Sequence, residues 1–116
     1  MSFRLTLTSE AEQSIEDQLL WYEEDDFRGG NQLADRWLAK LKAALREIAD
    51  APWQFGFAPE NGRWSTHLEL RQFRFEPWKT RSAWRILYIF DEGEKTVSVI
   101  QIRHAHRPFL HEEEPG

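Results

Sequence analysis

The stretch Ala83-Trp84-Arg85-Ile86-Leu87-Tyr88-Ile89-Phe90, followed after a short turn by Thr96-Val97-Ser98-Val99-Ile100-Gln101-Ile102-Arg103, decides the fold. In the first segment Trp84, Ile86, Tyr88 and Phe90 alternate with Arg85, Leu87 and Ile89, the two-residue period of a strand with distinct faces. The second segment is β-branched and partly continuous in apolarity, as a central strand is. Asp91-Glu92-Gly93-Glu94-Lys95 between them is too short for a crossover, so the two strands are expected to pair antiparallel.

Outward from this pair, residues 67–75 give another strand, with Leu68 and Leu70 in one phase and Phe73 and Phe75 in the other; the change of phase predicts a bulge or a twist. Pro77 to Ser82 links it to the next strand. At the other end of the chain, Phe3-Arg4-Leu5-Thr6-Leu7 alternates as a short first strand. Ser9 and Glu12 have the spacing of a capping box and open a helix in which Ala11, Ile15, Leu19 and Tyr22 share a face, with Leu20 beside them. The acidic run Glu23-Glu24-Asp25-Asp26 opposes the helix dipole and ends it, and Phe27-Arg28-Gly29-Gly30 turns the chain. Asn31 is expected to cap a second helix with the stripe Leu33, Trp37, Leu38, Leu41, Ala44, Leu45 and Ile48, which stops before Pro52. The segment up to Trp64 is punctuated by Pro52, Gly56, Pro59 and Gly62 and reads as a loop. The order β-α-α-β-β-β predicts an α+β fold: a helical hairpin on one face of a small, mainly antiparallel sheet whose other face is free. Residues 1–110 read as a single domain, and 111–116, with Glu112, Glu113 and Glu114, as a disordered acidic tail.

A chain of 116 residues suits one core. Without cysteine, disulfide scaffolds, thiolate metal sites and cysteine nucleophiles are excluded. With 41% hydrophobic and 30% charged residues the composition is globular rather than disordered. No apolar run approaches the length of a membrane span, and none follows Met1-Ser2-Phe3-Arg4, so no membrane partner and a cytoplasmic location are expected. The net charge of −5 hides a division: residues 1–62 carry −6, residues 63–107 carry +4, and the tail carries −3. Asymmetry of this kind says more about partners than the total does.

No phosphate loop, dinucleotide fingerprint, zinc signature or nucleophile elbow is present, and no cofactor is expected. His104 and His106, with His111 as a third donor, have no carboxylate placed to orient them, so no metal is expected. If Trp84, Ile86 and Tyr88 face the helices, Arg85 points to the free face, where a guanidinium either clamps a phosphate or carboxylate or pairs with a glutamate such as Glu69. Arg71, Arg74, Arg103 and Arg107 join it according to register. His104 follows Ile100 and Ile102 in phase and so belongs to the helix-facing side; in an exposed position its pKa of about 6.5 would suit acid–base work on a ribose hydroxyl. Trp53, Trp64 and Trp78 lie outside the periodic stripes, where a tryptophan either stacks on a partner or plugs the edge of a core.

The segment 83–90, then Val97 to Ile102, then Arg103-His104-Ala105-His106-Arg107 resembles the closing half of the RelE/ParE toxin superfamily. That superfamily has an arginine-containing strand of the type yRIlY, a β-branched strand and a final I.H..R, matched here by Ile102, His104 and Arg107. Ala58-Pro59-Glu60-Asn61 and Leu70-Arg71 are similar to its plasmid-stabilisation branch, and the resemblance covers nearly the whole chain. It implies a growth-arresting toxin of a type II toxin–antitoxin pair, neutralised by a cognate antitoxin protein. Two mechanisms diverge within the superfamily: ParE-like members inhibit DNA gyrase, and RelE-like members cleave messenger RNA on the ribosome. In a RelE-like mRNA interferase Arg85, His104 and His106 would be the catalytic residues. Under either mechanism Arg71, Arg74, Arg85, Arg103 and Arg107 are the expected target- or antitoxin-binding residues. The negative net charge and the lack of a lysine cluster on the sheet, Lys79 and Lys95 falling in turns, depart from the ribonuclease pattern and favour the gyrase reading. Strand phase points the same way, because Arg85 and His104 fall on opposite faces unless the chain bulges before His104. A non-toxic interaction module of the same fold is the third reading.

Overall fold

Two-residue alternation in the second half of the chain builds a sheet with one face that must be covered, and two amphipathic helices cover it. The computed structural model describes residues 2–24, 30–63, 68–77 and 83–105. Along these run β1 (Arg4–Leu7), α1 (Ser9–Glu23), α2 (Gly30–Asp50), a 3-10 turn (Pro52–Gln54), β2 (Arg71–Phe75), β3 (Trp84–Asp91) and β4 (Thr96–His104). The sheet order is β1-β4-β3-β2, antiparallel from β2 through β4, with β1 parallel to β4 at the opposite edge. The α+β class and the element order are those the periodicity predicts. No helix among the described residues is long and apolar enough to cross a membrane.

Both helices start earlier than expected. Thr8, not Ser9, caps α1: its Oγ1 accepts the Ala11 N–H at 3.2 Å and donates to the Ile100 carbonyl at 2.6 Å, while the Thr8 N–H donates to the Val99 carbonyl at 3.0 Å. Both hydroxyls can cap, and the bonds to β4 select Thr8. α2 begins at Gly30, which puts Asn31 inside the first turn. Ala11 and Tyr22 of α1 and Ala34, Trp37, Leu41, Ala44 and Ile48 of α2 pack on Trp84, Ile86, Tyr88, Val97, Val99 and Ile102 of the sheet. Trp37 is fully buried at the centre, with the rings of Trp84, Phe75 and Tyr22 at 5.4, 6.3 and 6.3 Å.

Tyr88 pairs with Val99 but Leu87 pairs with Gln101, so Ile100 has no partner across the ladder: a β-bulge. The extra residue reverses the phase of β4. Val97 and Val99 before it and Ile102 after it all join the helix-facing core, whereas Ile100 packs on the opposite side. Ile100 and Ile102, expected on one face, are therefore split. The mixed phase expected to bring a bulge or a twist in 67–75 has another origin: β2 starts only at Arg71, pairs with β3 without a register shift, and keeps plain alternation with Leu70, so Leu70 on one face and Phe73 and Phe75 on the other each meet a core of their own.

The second sheet face is not free. Segment 56–58 lies alongside the start of β2, through Gln72 N–H to the Gly56 carbonyl (3.1 Å) and Ala58 N–H to the Leu70 carbonyl (2.9 Å). Ala58, Leu70 and Leu87 then form a small second core with Ile89 and Ile100 at its margin. Alternating strands leave Leu87 and Ile89 on that face, and an apolar patch there needs a cover.

Candidate functional site

Alternation along β3 sends Arg85 away from the helices, and the guanidinium ends in the second face rather than in solvent, only 4% exposed. Its Nη1 and Nη2 donate to the two carboxylate oxygens of Glu60 at 2.9 and 2.8 Å, and Nη1 also donates to Gln72 Oε1 at 3.1 Å. Glu60 is fully buried. The two-pronged fork is the strongest guanidinium–carboxylate geometry. A tight turn delivers Glu60: Asn61 N–H donates to the Ala58 carbonyl (2.9 Å), Arg63 N–H to the Glu60 carbonyl (3.0 Å), and Asn61 Oδ1 accepts the Leu70 N–H (2.9 Å). Gly62 closes the turn at φ 79°, a conformation that favours glycine. Arg85 thus pairs with a glutamate, but with Glu60 and not Glu69, which is exposed at the approach to β2.

Register aligns Arg74, Arg85 and Arg103 in one row across β2, β3 and β4. Arg103 is 1% exposed and donates to Gln101 Oε1 at 2.5 Å, so of the three only Arg74 is open to solvent. Burial withdraws Arg85 and Arg103 from the surface role that the sequence suggests for them. Arg71 lies on the helix-facing side opposite Tyr88. Its Nη1 donates to the Phe55 carbonyl at 2.6 Å and its guanidinium sits 4.3 Å from the Phe57 ring centroid, which ties the segment after α2 to the sheet. The Tyr88 hydroxyl donates to the Pro52 carbonyl at 2.7 Å. Burial pushes its pKa up to about 12, against a smaller opposing pull from Arg71.

His104 pairs with Trp84, and the two rings meet edge to face at 5.3 Å on the helix side. The bulge therefore does not bring His104 to Arg85. It moves Val97 and Val99 onto the helix face and leaves His104 there too. His106, Arg107, His111, Trp64 and Trp78 lie outside the described residues. Trp53 is half exposed and leans on Phe3 at 5.9 Å. Among the described residues no three His, Asp or Glu side chains gather as a metal site.

A groove of about 520 Å³ between α2 and the edge strand β2 is lined by Lys40, Arg46, Glu47, Phe73, Arg74 and Phe75. Sequence reasoning reaches Arg74 but misses Lys40 and Arg46, whose place on the polar side of the α2 stripe does not reveal which strand lies beside them. It also gives Glu60 no role; the one signal is an acid held between Pro59 and Gly62 in a turn.

Residues 5–109 match the family described as ParE toxin of type II toxin–antitoxin system, parDE. No curated protein matches the chain. Among solved structures, a chain of the RelBE2 toxin–antitoxin complex from Mycobacterium tuberculosis is similar in fold, with a TM-score of 0.54 and 16% identity over 92% of this chain and 95% of that one. The family match runs from within β1 to beyond β4 and so takes in both helices, the bulged strand and the arginine row: the chain belongs to the ParE toxin family of type II toxin–antitoxin systems.

Proposed function

We propose that the chain arrests growth by binding and inhibiting DNA gyrase and that a cognate antitoxin holds it in check. One observation carries the choice of binding over cleavage: Arg85 and His104 leave adjacent strands on opposite faces of the sheet, with Glu60 on the Arg85 guanidinium. Cutting RNA needs a base, an acid and a phosphate stabiliser converging on one ribose-phosphate unit. Arg85, His104 and His106 are the residues an mRNA interferase would have to bring together.

For the antitoxin, the groove of Lys40, Arg46 and Arg74 offers cations beside an edge strand, which suits an amphipathic segment with acidic side chains. Arg71, Arg74 and Arg107 are the proposed partner-binding arginines. Arg85 and Arg103 act indirectly, by holding the second face in shape.

The test is induced expression in a bacterial host with and without the neighbouring gene, together with a supercoiling assay on purified gyrase and primer extension on cellular messages. The expected result is growth arrest relieved by the neighbouring gene, blocked supercoiling and intact messages. Codon-positioned cuts that vanish in Arg85→Ala and His104→Ala, with supercoiling untouched, would replace this reading with the RelE-like one. A stable complex with no growth phenotype would leave only an interaction module.

A further inference from the structure

We propose that Leu20 and Trp21 of one copy seat in the groove between α2 and β2 of a second copy, so that the toxin without its antitoxin forms a dimer. The inference goes beyond the gyrase reading and does not depend on it.

Leu20 and Trp21 are 54% and 57% exposed, while the core takes Ala11, Ile15, Leu19 and Tyr22 from the same helix. Surface neighbours on a helix lie three and four residues away. For Leu20 these are Glu16, Asp17, Glu23 and Glu24, all exposed, so an apolar knob is ringed by carboxylates on a helix without lysine or arginine. Tyr22 meets the Trp21 ring edge to face at 5.3 Å, which braces the indole. Glu23 and Glu24 lie at the negative end of the helix dipole with no base in the last turn, so helix stability does not account for them.

The groove is the inverse of this knob. Phe73 and Phe75 and the small Ala43 and Ala44 give it apolar walls, and Lys40, Arg46 and Arg74 outnumber its one carboxylate, Glu47. Among the described residues, Glu16, Glu23, Glu24, Lys40 and Arg74 form no ion pair within the chain. Both halves thus carry charge that the fold leaves uncompensated. Seating the knob gives the groove cations carboxylate partners and gives a guanidinium the face of the Trp21 indole. A chain cannot fill its own groove: α1 packs on β4 and α2 on the edge strand β2, so α2 stands between Trp21 and the groove. A second copy supplies the missing half, and a two-fold pair makes the contact twice. An aromatic anchor buries about 150–250 Å², which places the dimer among small, weak interfaces. The antitoxin segment proposed for the same groove has to displace the second copy.

The test is sedimentation velocity of the full-length toxin from about 1 to about 100 μM. The wild type is expected to pass from monomer to dimer in that range, and to associate about tenfold more weakly when salt rises from about 0.05 to about 0.5 M. Leu20→Ala/Trp21→Ala, Glu16→Lys/Glu23→Lys and Lys40→Glu/Arg74→Glu are each expected to weaken association about tenfold or more. The two charge reversals combined in one chain are expected to restore it, an outcome that damage to the fold cannot produce, because damage at two separate sites adds rather than cancels. A wild type that stays monomeric throughout overturns the inference. So does pairing that is indifferent to salt, pairing that survives loss of the knob or of the groove cations, or a combined reversal no better than its halves. None of these readouts involves gyrase or the antitoxin, so the target reading stands or falls separately.

Discussion

Burying Arg85 with Glu60 strips both charges of water, and the two-pronged contact, with Gln72 as a further acceptor, offsets that loss. Removing one partner keeps the desolvation and loses the attraction. Glu60→Ala is expected to lower the unfolding free energy by about 3–5 kcal/mol in urea titrations, and Glu60→Leu combined with Arg85→Met to recover most of it. A loss under about 1 kcal/mol would mean that water reaches the pair. Tyr88 supplies a pH dependence. Its hydroxyl keeps its proton to about 12 in the folded chain against 10.0 ordinarily, chiefly through burial. Between these values the unfolded chain binds fewer protons than the folded one, so stability falls as pH rises from about 10 to about 12 and is intact below. Tyr88→Phe is expected to cost about 1 kcal/mol at neutral pH and to flatten that alkaline slope, as measured by denaturation across a pH series.

Among the elements, β4 makes the sharpest prediction. Ile100 is the residue left over in the β3–β4 ladder. Deleting it brings Val99 and Gln101 into regular pairing with every later side chain still on its own face, so the variant is expected to fold with a loss of about 1–3 kcal/mol for the missing side chain. Deleting Ser98 as well leaves the ladder no spare residue, turns Val97 toward the opposite face and is expected to abolish the cooperative transition in circular dichroism. The same strand marks where the sequence stops being legible. β3 alternates unambiguously, and its faces follow from the pattern. In β4 the apolar side chains of Val97, Val99, Ile100 and Ile102 occupy both phases, so one extra residue leaves no trace in the pattern. At α1, Thr8 and Ser9 are equally good caps by chemistry, and only the bonds to β4 distinguish them. Glu60 lies 25 residues from Arg85, and no local rule links an acid in a turn to an arginine on a strand so far along the chain.

Across the molecule, the division of charge is readable by counting, but which charges reach the surface is not. Arg85 and Arg103 are internal, so the cationic surface shifts toward Arg74, with Lys40 and Arg46 of the otherwise acidic first half. The antitoxin complex is therefore expected to weaken with salt. Lys40→Glu/Arg74→Glu should weaken it about tenfold or more at low ionic strength in a titration, whereas Arg103→Glu should lower the melting temperature instead. The pairing of β1 with β4 has a consequence of another kind, in time. Thr6 bonds to Ser98, 92 positions further on. At about 5–20 residues per second of synthesis, the first strand waits about 5–20 s for its neighbour to be made. Until then the helical hairpin has only part of a sheet to cover. A message that stops short of β4 yields no finished toxin, so the hazard this chain poses to its cell is set by whole translation events rather than by how many were begun.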